Sequence, residues 1–339
     1  MRSQTPPIPT NHPSATRSVR GPRPSRRIAV LLGTVAVVLA ASACEPTPIP
    51  ADPVPTTSTI PSPTGWRHVG GDEFDGTTLD TSRWKPYHSN YGSANLQLEC
   101  NTPANVAVAG GSLRITSKKQ TVASCPGAST SMGYTSGFIG SRDVGTYYPT
   151  FGRFEIRAKV PHAQGLWPAF WLRHRNGAST AEVDVMEYFH SQLPGKVTQT
   201  LHLDGVYNVS KRNTSFEAPT VSPGWHTFAA EIAPDPAGVR FTFLLDGATT
   251  HTFVDTKHGW LDKAPADATW DIAVNQAVGG RWAGHPDGTL GLLELLNRCS
   301  ISGVAPAGCT TTGIQRVDWS KPAQTTYEVD WVRAFVRAG

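Results

Sequence analysis

The sequence has little that would make a helical protein. No segment keeps apolar residues at a 3.6-residue period for long, which excludes a bundle of amphipathic helices. There is no internal repeat, which excludes a repeat architecture. The apolar run from Ile28 to Ala40 covers only 13 residues, short of the roughly 20 that cross a bilayer comfortably. The first 44 residues contain no acid and six arginines. Without them, 24 of the 30 basic residues face 26 acidic ones, a net of −2. The basic balance therefore belongs to the N-terminal stretch, and the rest has no basic surplus of the kind nucleic-acid binding uses. Residues 45–64 lack aromatics and carry seven prolines. Such a stretch cannot bury a core and reads as an extended spacer.

What is there begins with an export signal over residues 1–44. Arg26 and Arg27 precede the apolar run, and Ala41-Ser42-Ala43-Cys44 offers a small-residue cleavage site. Cys44 at that site resembles a bacterial lipoprotein box, with Ala41 where a leucine is usual. The expectation is a chain that is secreted, or anchored at the cell surface by a lipid on Cys44. The other four cysteines, Cys100, Cys125, Cys299 and Cys309, form an even set, which in an exported chain suggests disulfides. Neighbours in sequence suggest Cys100–Cys125 and Cys299–Cys309, with two other pairings formally open.

From residue 65 to 339 the text reads as one domain of short strands. In "FGRFEIRAKVP", Phe154, Ile156, Ala158 and Val160 alternate with Glu155, Arg157 and Lys159. "RFTFLLDG" alternates through Phe241, Phe243 and Leu245 and ends in Asp246-Gly247, a hairpin signal. "TYEVDWVRAFV" alternates through Tyr327, Val329 and Trp331, and "GSLRITSK" is a fourth such run. Many short strands between Gly, Pro and Asp turns predict one large antiparallel sandwich.

The segment "AEVDVMEYFH" crowds Glu182, Asp184 and Glu187 into six positions. On a strand, Val183 and Val185 face the core and Glu182 and Asp184 face away. Strict alternation would send Glu187 into the core, where an unpaired carboxylate is very costly. One extra residue, a β-bulge, returns it to the acidic face. A row of carboxylates suits retaining glycoside hydrolysis, in which one carboxyl attacks and a second donates and then takes a proton. Asp184 between them can share a proton and set which neighbour is charged. A solvated acidic face would interleave Lys or Thr, and a calcium cluster would want further Asn or Asp ligands nearby; neither pattern is present.

Upstream, "QGLWPAFWLR" puts Trp167, Ala169 and Trp171 on one strand face and Phe170 and Leu172 on the other. The two tryptophans suit stacking against sugar rings. "TLHLDG" places His202 on what reads as the adjacent strand, within reach of a catalytic glutamate. "NQAVGGRWAG" adds Asn275 and Trp282 around a glycine turn.

Together these blocks resemble glycoside hydrolase family 16, especially its laminarinase-like, endo-β-1,3-glucanase branch. The family signature Glu-x-Asp-x-(x)-Glu reads E-V-D-V-M-E here, in its bulged form. Supporting blocks are "GDEFDGTTLDTSRW", "NVAVAGGSLRIT", "YTSGFIG", "FGRFEIRAKVPHAQGLWPAFW", "WHTFAAEI", "VNQAVGGRWAG" and "YEVDWVRAF". The resemblance implies a concanavalin A-like β-jelly roll of two antiparallel sheets with a concave, glycan-binding cleft. It implies a hydrolase acting on a polysaccharide, with Glu182 as nucleophile, Glu187 as acid/base and Asp184 as helper; the domain's size, separately, is enough for it to stand alone as a monomer. Trp167, Trp171, His202, Asn275 and Trp282 fall at its cleft positions. No cofactor is implied for catalysis. A structural calcium is implied at Glu73, the Gly111 carbonyl and Asp330. Three features depart from the family pattern: Gln276 in place of an apolar residue, Phe138 in place of a basic one, and about 40 extra residues (287–326) carrying Cys299 and Cys309.

Overall fold

Alternation becomes strand wherever it was strong: Leu113–Thr116, Gly152–Lys159, Gly238–Leu245 and Thr326–Arg337. The computed structural model describes residues 60–175, 181–188, 196–203, 216–256, 269–287 and 316–339. The export signal, most of the spacer, Cys44, Cys299, Cys309 and most of the 287–326 segment lie outside them.

Among the described residues, two eight-stranded antiparallel sheets carry the fold. The first runs Ala248–Asp255, Gly238–Leu245, His226–Asp235, Gly152–Lys159, Thr326–Arg337, Leu113–Thr116 and Val106–Val108, with Trp66–Asp72 also paired to Thr326–Arg337. The second runs Phe216–Thr220, Lys196–His202, Glu182–Tyr188, Leu166–Arg175, Thr269–Val278, Phe138–Gly140 and Lys85–Pro86, with Tyr148–Pro149 on Thr269–Val278. A short parallel pair, Glu99–Asn101 with Tyr134–Ser136, stands apart. The jelly-roll sandwich expected from the sequence is the fold observed.

The core shows why these residues form these strands. Phe154, Ile156, Phe228, Phe241 and Phe243 of the first sheet meet Phe170, Leu172, Val183, Val185, Trp270 and Ile272 of the second in one buried cluster. Each such side chain contributes about 1.5–3 kcal/mol on leaving water. Residues of the opposite parity on the second sheet therefore lie on its outer face. There Trp171 packs with Phe138, Ala169 and Ala273, and Trp167 with Ala277 and Ala283, in clusters separate from the main core.

One turn and one strand irregularity illustrate local chemistry. Asp246 and Gly247 both take positive φ, 49° and 80°, between paired Leu245 and Ala248, as the favoured two-residue hairpin turn requires. In Thr326–Arg337 the expected alternation breaks. The register shifts between Val329 and Trp331, so Val332 and Ala334 are buried after Tyr327 and Val329. Trp331 turns outward instead, with the Arg333 guanidinium 4.0 Å from its ring centroid.

Cys100 and Cys125 are bonded, which realises one of the pairings left open by the spacing. The bond closes the chain around the parallel pair.

Candidate active site

The acidic strand Glu182–Tyr188 lies between Leu166–Arg175 and Lys196–His202. Its register against the first neighbour places Glu182 opposite Arg173, Asp184 opposite Trp171 and Glu187 opposite Ala169. Two steps on the neighbour, from Trp171 to Ala169, thus match three on the acidic strand. The register against the second neighbour slips at the same place: Asp184 faces Thr200 and Glu187 faces Thr198. Val185 and Met186, both buried in the core, span the bulge. The consequence is geometric. Glu182, Asp184 and Glu187 share the outer face of the sheet, as the bulged motif required.

Each carboxylate has a distinct neighbourhood. Glu187 accepts a hydrogen bond from the Trp167 indole N–H at 2.9 Å. Asp184, nearly buried, has the His202 Nε2 at 3.0 Å from its Oδ2, while the same nitrogen is 3.9 Å from Glu182 Oε1. His202 therefore bonds the central aspartate rather than a glutamate. Trp171 donates its indole N–H to Asn275 Oδ1 at 2.8 Å. Both tryptophans are only 7–8% exposed. Their faces pack against Ala277 and Ala283 (Trp167) and against Phe138, Ala169 and Ala273 (Trp171); the Trp167 N–H turns to the acidic strand and the Trp171 N–H to the strand on the other side. Trp282, in contrast, is 39% exposed.

Burial raises all three acids. It pushes Glu182 up to about 8, with the Asp184 charge adding to the shift and His202, Arg173 and Arg142 opposing it. Burial likewise raises Asp184, against a hydrogen bond from Glu187. Glu187 is raised by burial and then by the Asp184 charge, against His202 and the Trp167 N–H. Three charges cannot coexist here near neutral pH, so protons are retained within the row. The cations gather at the Glu182 end. That asymmetry favours the charged form at Glu182 over the charged form at Glu187.

Residues 81–290 match the model of glycosyl hydrolases family 16. The chain belongs to that family. It is 30% identical over 253 residues to a glucan endo-1,3-beta-glucosidase A1 of Niallia circulans, covering 67% of this chain but 36% of that protein. A beta-glucanase of Rhodothermus marinus is 29% identical, over 65% of this chain and 78% of its own length. Among solved structures, the endo-beta-1,3-glucanase of Pyrococcus furiosus aligns over 81% of this chain and 95% of its own, with a TM-score of 0.60 at 23% identity. That likeness concerns the fold.

Within this family-16 site, some residues were not foreseen. Arg173 and Asp271 sit on the outer face beside Glu182, paired in register and by hydrogen bonds of 2.8 and 2.5 Å. Parity pointed to both: Arg173 lies two residues after Trp171, and Asp271 four before Asn275. Arg142 and Tyr91 come from outside the central strands, where no periodicity marks them. Tyr91 is 47% exposed and packs against Phe138 and Trp171 at 5.0 and 6.1 Å.

The two departures within the described residues also find their places. Phe138 joins the aromatic cluster around Trp171. Gln276 is fully buried, and its amide nitrogen donates to Ser117 Oγ and to the Thr325 carbonyl, both at 2.8 Å. The amide nitrogen is thus satisfied, while the buried Oε1 has no hydrogen-bond partner among the described residues.

The calcium expectation meets a different arrangement. Glu73 gives both carboxylate oxygens to Arg333, at 2.8 and 2.7 Å. Asp330 pairs with Arg157 at 2.5 Å. Arginines neutralise these acids as a cation would, so the donor set as placed does not fit calcium, and no step below depends on a metal.

Proposed function

We propose that this chain is an exported, retaining endo-β-glycanase that cuts internal bonds of a polysaccharide, with β-1,3-glucan as the leading substrate. The observation that carries the reading is the bulge, which brings Glu182 and Glu187 onto one face with Asp184 between them. The named activities of the Niallia circulans and Rhodothermus marinus relatives support the substrate class. Glu187, kept protonated by burial, donates its proton to the glycosidic oxygen as the bond to C1 breaks. Glu182, the carboxyl nearest the cations, attacks C1 and forms a glycosyl ester. Glu187, now ionised, takes a proton from water, which displaces the sugar from Glu182 with net retention. Asp184 and His202 carry the charge balance between the two. The basic N-terminal signal and the proline-rich spacer support export, with a lipid on Cys44 as one mode of anchoring.

A related reading keeps the chemistry and changes the polysaccharide. A keratan-sulfate endo-1,4-beta-galactosidase of Sphingobacterium multivorum is 24% identical over 67% of this chain, which favours including β-galactans in any screen. Incubation with laminarin, mixed-linked β-glucan, agar and keratan sulfate, followed by product sizing, tests both. A ladder of β-1,3-linked oligosaccharides from laminarin supports the proposal. Cleavage of a galactan alone moves the assignment, and cleavage of none refutes it.

A further inference from the structure

We propose that Arg142, Asp271 and Arg173 form a fixed positive charge behind Glu182, acting as positioning residues that decide which of the two glutamates attacks. This rests on the catalytic roles assigned above. Asp271 is fully buried and binds two guanidinium groups at once. Its Oδ1 accepts from Arg173 and its Oδ2 from Arg142 Nε at 2.8 Å. One carboxylate shared by two arginines leaves one net positive charge. Register fixes where that charge sits, because Arg173 is directly opposite Glu182 on one side and Asp271 on the other.

Arg173 cannot wander. Its guanidinium lies 5.0 Å from the Trp171 ring and 6.0 Å from Phe138, and Tyr87 and Tyr91 lie beside it. Among the described residues, the groups facing Glu182 are Arg173 from one neighbouring strand, His202 from the other, Arg142 and Tyr91 from the segments outside them, and Asp184 and Glu187 on its own strand. Lys85 and Asp143 close on each other at 3.0 Å and add no net charge. The arginine–aspartate trio lies at the Glu182 end of the row, and among the described residues the raised carboxyl at the other end has His202 and an indole N–H to hold a charge.

The test is a charge series at Arg142, whose side chain is 41% exposed and so replaceable without opening the core. The readout is the pH dependence of kcat/KM on laminarin, or on the polysaccharide cut fastest. Arg142→Gln is expected to move the acidic limb up by about one unit, Arg142→Glu to move it further, and Arg142→Lys to leave it in place. The basic limb stays still in all three. Asp271→Asn, if its melting curve shows a folded protein, moves the acidic limb down, because the guanidinium groups lose their counter-charge. An acidic limb that stays put in the Gln and Glu variants, or moves equally in the Lys variant, overturns the proposal. Wild-type enzyme treated with a 2-deoxy-2-fluoro glycosyl fluoride separates the two failures. Absence of label on Glu182 rejects the catalytic reading itself, whereas label on Glu182 with an immobile limb rejects only the role of the trio.

Discussion

The indole nitrogen of Trp167 donates to Glu187 Oε1 across 2.9 Å, linking the start of one strand to the end of the acidic row on the next. The bond favours the ionised carboxylate, since an N–H donor stabilises negative charge on its acceptor. In the proposed mechanism Glu187 holds a proton in the first step and loses it in the second, and this contact limits how far burial can raise it.

Trp167→Phe keeps most of the ring and removes the donor. The basic limb of the kcat/KM profile is expected to move to higher pH, with a fall in rate of roughly tenfold from a misplaced acid. A profile measured between pH 4 and 10 checks this. A limb that moves to lower pH would show that the indole does not stabilise the charged carboxyl.

Glu99 gives a prediction about stability. It is 1% exposed, and burial pushes its carboxyl up to about 8, while its Oε2 accepts the Val278 N–H at 2.8 Å. The folded state therefore keeps a proton that the unfolded chain releases near pH 4.5. Stability associated with this group is full below the unfolded value and is lost as pH rises through the folded one. Glu99→Gln stays neutral and keeps an acceptor for Val278. Its melting temperature should decline less than wild type between pH 5 and 9, by an amount worth up to a few kcal/mol. The raised acids of the active site leave a residual decline of the same sign. Denaturation curves at both pH values decide the point, and parallel declines would count against a buried neutral Glu99.

The Cys100–Cys125 bond ties the parallel strand pair to the loop that precedes Tyr134. Replacing both cysteines by serine should cost about 2–4 kcal/mol of unfolding free energy. Differential scanning calorimetry of the paired variant measures it. Neither cysteine lies on the strands that carry the acidic row, and the pH profile should keep its shape.

How much was legible in the sequence follows from what each part depends on. The sandwich was legible because alternation is local, and Phe154, Ile156, Phe241 and Phe243 declare their face within a few residues. The bulge was legible for an electrostatic reason: without it Glu187 would be a bare carboxylate in the core. Trp331 was misjudged because its strand carries a register shift that no charged residue advertises. The tryptophans Trp167 and Trp171 were placed on the right face, but how deeply they pack depends on Phe138, Ala273 and Ala283 from distant segments. Arg142 could not be found by pattern, since only the folded chain brings it to Asp271. Asp184 as the partner of His202 was missed for a simpler reason: both acids lie within reach of that ring, and only coordinates separate 3.0 Å from 3.9 Å.

The most direct test of the central claim is azide rescue with an activated aryl β-glycoside. In Glu182→Gly, azide should enter the space left by the nucleophile and attack from the opposite face, giving an α-glycosyl azide. In Glu187→Ala, azide should intercept the ester formed on Glu182, giving a β-glycosyl azide. Proton NMR of the products reads the two configurations. Opposite anomers in that order are the result expected of two carboxyls brought to one face by the bulge. The reverse order, or the same anomer from both variants, would contradict the assignment.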